Sequence, residues 1–353
     1  MNHDVVCCLS PAGASAVAVV GLRGPTVWSK VSPCFTPAKT MPMLSPLPQL
    51  SLGKLERDGL GDEIILVLQG EENWQVIELQ LHGGPGIVQW CLQFAQDLGC
   101  SLIDWPDWYQ SELWKQLPLA TTTRTAGMLL DQCMGAMDRQ LLSITTRIQQ
   151  NETDRSGLLA EVEQLLAFES LGAHLVHPWK IVLAGPPNAG KSSLLNALVG
   201  YQRAITSPVP GTTRDLVTAT VAWNGYPMEF VDTAGLHDAS DTLEIAGMGL
   251  TQQATRVADL VLWLVDLSED HEVRPVAAKS ILLVGTKGDL PRRQSCTVDT
   301  IVSAMTGSGL KELLSRIGVR LIPRDPAPGQ AIPLLPSQME ELSRLHKILR
   351  ANA

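Results

Sequence analysis

An α/β domain inserted in a helical one, with a smaller α+β domain ahead of both, is the architecture that this sequence predicts. Three observations lead there. Residues 178–324 alternate short apolar, β-branched runs with helical ones, the rhythm of βαβ units. Residues 119–173 show apolar spacing of three and four residues and no strand signal, and that helical spacing returns at 337–349. Before about residue 100, short strands, turns and one helix alternate. The expected domains are 1–116 (α+β), 117–176 and 325–353 (the two helical parts) and 177–324 (the inserted α/β domain).

A chain of 353 residues exceeds one ordinary compact core, so two or three domains are the natural expectation. It is 45% hydrophobic, with a mean hydropathy of +0.09, as expected of a globular protein with real cores. The net charge of −9 argues against a large, phosphate-driven nucleic-acid footprint. The seven cysteines have no paired spacing and fit reduced thiols better than a disulfide frame or a zinc site. Met1-Asn2-His3-Asp4 lacks a basic leader, and no apolar run is long enough to cross a bilayer. A cytoplasmic protein that makes no membrane contact is expected.

Taken in order, residues 4–22 read as a strand, a Pro/Gly/Ala turn at 10–14 and an apolar run from Ala16. A Pro-rich loop is expected over 33–48, strands over 63–69 and 74–81, and a helix over 88–98. Leu141, Ile144 and Ile148, then Leu158, Val162 and Leu165, mark the helical zone. Strands are expected at 180–184, 216–223, 280–285 and 298–302, and one ending at Asp232. Helices are expected to open at 193–199 and to close the domain at 310–321. A Pro-rich linker over 323–336 leads to a last amphipathic helix with Met339, Leu342, Leu345 and Leu349 on one face.

Chemistry concentrates in the inserted domain. Gly185-Pro186-Pro187-Asn188-Ala189-Gly190-Lys191-Ser192 matches the full P-loop pattern between a strand and a helix. Glycines there let backbone N–H groups turn inward, and the helix N-terminus adds its positive end, so a triphosphate is cradled. Lys191 should reach the β- and γ-phosphates and the Ser192 hydroxyl should bind Mg²⁺, with Ser193 following. Asp232, ending an apolar strand before Thr233-Ala234-Gly235, supplies the metal's carboxylate, and the Gly235 amide can face the γ-phosphate. Thr212 and Thr213 lie in the loop between these motifs, where a threonine completes the Mg²⁺ shell only when the γ-phosphate is present.

Thr286-Lys287-Gly288-Asp289 follows a buried strand and resembles the NKxD motif of the GTPase superfamily, whose Asp reads two guanine nitrogens. Thr286 stands where Asn is usual. Ser303-Ala304 resembles the last base-binding motif, in which the Ala amide contacts the guanine oxygen. A Ras-like P-loop G domain that binds GTP and GDP is therefore expected. Leu236 occupies the position from which Ras-type enzymes orient water with Gln, so another group must do that work.

The stretches Pro187-Asn188-Ala189-Gly190-Lys191-Ser192, Gly211-Thr212-Thr213-Arg214-Asp215 and Asp232-Thr233-Ala234-Gly235-Leu236 resemble the G domain of the MnmE (TrmE) family of tRNA-modification GTPases. That resemblance implies that Asn188 helps hold a K⁺ ion and that Glu244 orients the water. On the residues alone, Glu244 is a solvated carboxylate at a helix start and Asn188 a loop residue capping its own turn. Val19 to Pro25, with Arg23, and Glu78 to Gly84, with Glu78 and His82, resemble the family's N-terminal segments. These imply a homodimer, a formyl-tetrahydrofolate near Arg23, Glu78 and His82, a flavoprotein partner and a tRNA substrate. On the residues alone, a buried hydrogen-bonded His82 and a surface Arg23 serve as well. The family's stretch after the N-terminal domain is replaced by Trp105-Pro106-Asp107-Trp108-Tyr109-Gln110, and its C-terminal Cys-x-Gly-Lys segment is not found. These departures leave open a second reading, a divergent relative acting as a nucleotide-dependent dimerisation switch without tRNA chemistry.

Overall fold

The computed structural model describes residues 3–150, 154–201, 217–232, 255–270, 278–293 and 296–351. The chain forms two compact units, Met1–Lys115 and Gln116–Ala353.

The first unit is a seven-stranded sheet in the order β3-β4-β5-β6-β2-β1-β7. Its strands are β1 (Val5–Cys8), β2 (Val17–Gly24), β3 (Phe35–Pro37), β4 (Gln49–Arg57), β5 (Leu60–Glu71), β6 (Trp74–His82) and β7 (Ser101–Leu102); the short helices α1 (Val27–Val31) and α3 (Trp105–Trp108) accompany them, and α4 (Glu112–Gln116) runs to the boundary of the unit. Period-two alternation points Val20, Leu22, Leu66, Leu68, Ile77 and Leu79 to one face, where Cys91, Phe94 and Ala95 of helix α2 (Pro85–Asp97) cover them. Sequence reasoning places loop over 33–48 and is silent from there to residue 62. The structure instead has β3 within that loop and β4 just after it, paired along its whole length from Gln49↔Leu68 to Arg57↔Leu60. The alternation of β4 is hard to see because Leu50 and Leu52 lie on the outer face while Gly53 and Leu55 lie inward. Gly53 is needed there: a Cβ would stand 2.5 Å from the Thr36 carbonyl.

The second unit holds a six-stranded sheet in the order β13-β12-β11-β8-β10-β9. Its strands are β8 (Trp179–Ala184), β9 (Val217–Trp223), β10 (Tyr226–Asp232), β11 (Leu260–Asp266), β12 (Ile281–Thr286) and β13 (Thr300–Ile301). All neighbours run parallel except β9, which is antiparallel to β10. Both faces of β8 are buried, Ile181 and Leu183 in one apolar cluster and Val182 and Ala184 in another, so the strand reads as an unbroken apolar run. Helices α9 (Lys191–Tyr201) and α10 (Leu310–Leu321) pack Leu194, Leu195, Leu198, Leu313, Leu314 and Ile317 on the first of those faces. The strand expected over 298–302 is only two residues long.

Around this α/β domain lie α5 (Thr123–Cys133), α6 (Ala136–Gln149), α7 (Arg155–Leu166), α8 (Glu169–Ala173) and α11 (Pro336–Ala351). Thr122 caps α5 by accepting from the Thr125 amide, and Asp154 caps α7 by accepting from the Gly157 amide at 2.9 Å. Met137, Ile144, Leu158, Val162, Leu342, Leu345 and Leu349 make one helical core shared by α6, α7 and α11. That core joins chain on both sides of the sheet, so the α/β domain is an insertion. Among the described residues, no helix is long and apolar enough to cross a membrane. All seven cysteines are free thiols.

Candidate nucleotide site

Strand β8 runs into a loop whose backbone only a few residue types tolerate. Gly185 has φ 143°, and a Cβ there would stand 2.6 Å from the Leu264 carbonyl of β11. Asn188 (φ 61°) and Gly190 (φ 87°) complete the turn in left-handed conformations. Helix α9 then begins at Lys191, so its first amides face the loop's hollow.

Lys191 is buried, and its ammonium donates to the carbonyls of Gly185 at 3.1 Å and Pro186 at 2.9 Å. Burial lowers its pKa, while the nearby Asp232 carboxylate pulls the other way. Asp232 closes β10 with only 1% of its surface exposed and accepts from the Ser192 hydroxyl at 2.6 Å. The register Asp232↔Leu183 across β10 and β8 sets that carboxylate beside the loop. Two hard oxygen donors and one ammonium thus meet at the carboxyl ends of adjacent parallel strands, where ligands bind in open α/β sheets. Ser193 is exposed one residue further along α9.

At the end of β12, Thr286 is buried and its hydroxyl donates to the Ala189 carbonyl at 2.8 Å, with the Val265 carbonyl at 3.2 Å. The position therefore ties the phosphate loop to the β12 loop. Lys287 follows with φ 55°, and its ammonium meets the Asp266 carboxylate at 2.5 Å. Burial pushes the Asp266 pKa up, but Lys287 and the Ser268 amide and hydroxyl outweigh it and leave it lowered. Lys287 is raised by the same pairing. Asp289 is exposed beyond it. Ser303 is buried and accepts from the Thr306 amide at 3.1 Å, which shapes the turn that carries the half-buried Ala304. The Gly288 amide donates to the Val302 carbonyl at 3.0 Å, holding the two base-side loops together.

Asn188, Ala189, Gly190, Lys191, Ser192, Asp232, Thr286 and Lys287 thus gather at one end of the sheet. Thr212, Thr213, Gly235 and Glu244 lie outside the described residues. Sequence reasoning missed Asp266. The signal was present: an apolar strand ending in Asp, the same pattern that draws attention to Asp232.

In the first unit, Arg23, Glu78 and His82 share one face of the sheet, since Gly21 pairs with Glu78, Arg23 with Val76 and Val17 with His82. Their surroundings reverse the simple expectation for both basic residues. His82 is exposed and its Nδ1 lies 2.6 Å from an Asp62 carboxylate oxygen. Arg23 is half-buried, donates to the Asp107 carbonyl at 3.0 Å and lies 5.1 Å from the Trp108 ring centre. Gly21 leaves room for that ring, for a Cβ there would be 2.7 Å from it.

A P-loop at the tip of a central parallel strand, a carboxylate on the next strand and a Thr-Lys-Gly-Asp loop define a P-loop GTPase domain. A family model described as "50S ribosome-binding GTPase" matches residues 180–287. The chain is 33% identical to the tRNA modification GTPase MnmE of a Methylobacterium species, over 90% of this chain and 82% of the relative. With the protein of the same name from Moorella thermoacetica it shares 28% identity, over 90% and 82% of the two chains. Against that of Zymomonas mobilis the identity reaches 44%, over 41% of this chain and 34% of the relative. The chain belongs to the MnmE family of GTPases.

Proposed function

We propose that this protein hydrolyses GTP at the Lys191–Ser192–Asp232 site in the service of tRNA wobble-uridine modification. The observation that carries the reading is the Ser192–Asp232 contact beside the buried Lys191. These are the groups that a magnesium-bound triphosphate requires, at the place where the P-loop amides converge.

Mg²⁺ fits the donor set: Ser192 and Asp232 offer oxygen ligands, and Thr213 would add a third. Bound there, the ion neutralises charge on the β- and γ-phosphate oxygens. Lys191 would exchange its two carbonyl partners for phosphate oxygens, at small cost because both sets accept hydrogen bonds. The amides of Ala189, Gly190, Lys191, Ser192 and Ser193 would orient the phosphates, the Gly235 amide would face the γ-phosphate, and Thr212 would join the nucleotide's binding residues. Asp289 would accept from the guanine Watson–Crick edge, the Ala304 amide would donate to its oxygen, and the Lys287 stem, steadied by Asp266, would flank the ring. Ser303 shapes the Ala304 turn, and Thr286 fixes the distance between base loop and phosphate loop.

The remaining assignments draw on the family. Asn188, exposed on the loop's left-handed turn, is free to offer an amide oxygen to K⁺, and Glu244 would position water for in-line attack. Homodimerisation, a flavoprotein partner and a cytoplasmic tRNA substrate belong to the same reading. Formyl-tetrahydrofolate fits less well. Arg23 pairs with a residue six positions from His82, roughly 20 Å along a strand. Each of the two already has a protein partner, Asp107 for Arg23 and Asp62 for His82, so the two basic groups do not converge on one ligand within a single copy.

GTP turnover by the purified protein in potassium and in sodium buffer, with Glu244→Ala alongside, tests the mechanism. Potassium-dependent turnover lost in the variant is expected. Cation-indifferent turnover that survives Glu244→Ala would overturn the assignments of Asn188 and Glu244. Unchanged wobble-uridine modification in cells lacking the gene would overturn the tRNA role and leave the dimerisation switch.

A further inference from the structure

The far end of the β9–β10 hairpin is fastened to the helical layer by a cluster that the nucleotide site does not explain. The turn is Asn224-Gly225, with φ of 47° and 80°, the two-residue left-handed form that matches strand twist. Arg124, in the first turn of α5, donates to the Asn224 carbonyl at 3.0 Å and to both Asp325 carboxylate oxygens at 2.6 Å. Its guanidinium lies 4.8 Å from the centre of the Tyr226 ring. The Tyr226 hydroxyl donates to Asp325 at 2.5 Å, and the Thr122 hydroxyl donates to the Gly225 carbonyl at 2.6 Å. Burial, and then the carboxylate, raise the Tyr226 pKa, so the phenol remains a donor. Gly225 is required for this approach, since a Cβ would be 2.8 Å from that of Arg124.

The cluster gathers three chain segments: the start of α5, the hairpin turn, and the connection that leaves α10 for α11. The hairpin between them is stiff. All seven residues of β10 pair with β9, from Tyr226↔Trp223 to Asp232↔Val217, and five pair with β8 on the other side. One end of β10 is Asp232 on Ser192; the other, roughly 20 Å away, is Tyr226 in the cluster. We propose that the Arg124–Asp325–Tyr226 clamp couples the nucleotide site to the helical layer, the β9–β10 hairpin acting as the strut between them. A shift of Asp232 between GTP and GDP states is then resisted or passed on at Arg124 and Asp325, which act as positioning residues. Coupling is reciprocal, so loosening the clamp must change the relative affinity for the two nucleotides.

This rests on the nucleotide-site reading above. Affinities for GDP and for a non-hydrolysable GTP analogue are measured on full-length wild type, Asp325→Asn and Tyr226→Phe. The analogue-to-GDP affinity ratio is expected to move by about fivefold or more in Asp325→Asn, the lower end of ordinary allosteric coupling. Tyr226→Phe should move it in the same direction. A merely structural clamp would lower the melting temperature and weaken both nucleotides equally. An unchanged ratio in Asp325→Asn, or in Tyr226→Phe should the first fail to fold, overturns the proposal. Wild type that binds neither nucleotide would refute the nucleotide site itself, and that outcome is visible before any variant is made.

Discussion

Lys191 shows how much one side chain carries. It is buried, positive and held by two carbonyls of its own loop, so the charge is aimed before any phosphate arrives. Replacing it with Ala should weaken GTP binding roughly 10- to 100-fold, the loss expected of charge-assisted hydrogen bonds worth about 1.5–3 kcal/mol. A nucleotide titration that stays within a few-fold of wild type would refute the role. Asp289→Asn exchanges a pure acceptor for a mixed donor and acceptor, and preference should pass from guanine toward xanthine. Competition between GTP and XTP measures the change, and an undiminished preference for GTP removes Asp289 from base reading. The sequence places Thr286 where the motif usually has Asn. Its hydroxyl proton ties Ala189 of the phosphate loop to β12, a link between residues 97 apart that no local pattern signals.

At the scale of elements, the parts legible in sequence are those with local causes. β8, α9, β10 and α10 are read correctly because apolar runs, the P-loop glycines and helical periodicity all lie within a dozen residues. The P-loop motif predicts its own backbone: the left-handed Gly190 is where Gly was read as necessary. β4 was missed because its outward Leu50 and Leu52 break the inward–outward alternation that betrays a half-buried strand. Asp266 carries the same local signal as Asp232, an apolar strand ending in Asp, but its partner Lys287 becomes its neighbour only once β11 and β12 lie parallel. The packing of α10 offers a direct test. Gly318 lies against the Trp223 ring so closely that a Cβ would be 2.0 Å from it. Gly318→Ala should destabilise this unit by about 1–3 kcal/mol despite its better helix propensity. Chemical denaturation that finds the variant equal to or more stable than wild type would show that Trp223 moves aside freely.

Over the whole molecule, the charge pattern sets how stability responds to acid. Asp4 is buried in the first unit, where Lys30 at 2.7 Å and the Thr26 amide at 3.1 Å donate to it. Burial alone would raise its pKa, but those partners outweigh burial and leave it lowered. A depressed carboxylate stabilises the fold above its unfolded pKa, near 3.9, and the gain fades as pH falls through the lower folded value. Asp4→Asn should therefore be less stable than wild type at neutral pH, and the gap should narrow below about pH 4. Melting temperatures across that range decide it; a gap that stays constant would mean the charge is not what Asp4 contributes.

The contact between Gln132 and the far end of the chain has a bearing on synthesis. The Gln132 amide donates to the Gln330 carbonyl at 2.9 Å and accepts from the Ile332 amide at 3.1 Å, across some two hundred residues. Met137 and Ile144 likewise share their core with Leu342, Leu345 and Leu349. On the ribosome, α5 to α7 must emerge and wait while the whole sheet follows them out. Every strand of the sheet is made before the last helix, so the core that α6 and α7 share with it is the last to be completed. A nascent chain stalled before residue 330 would present that helical face uncovered, so the interval before the last helix appears is when this protein most needs a chaperone.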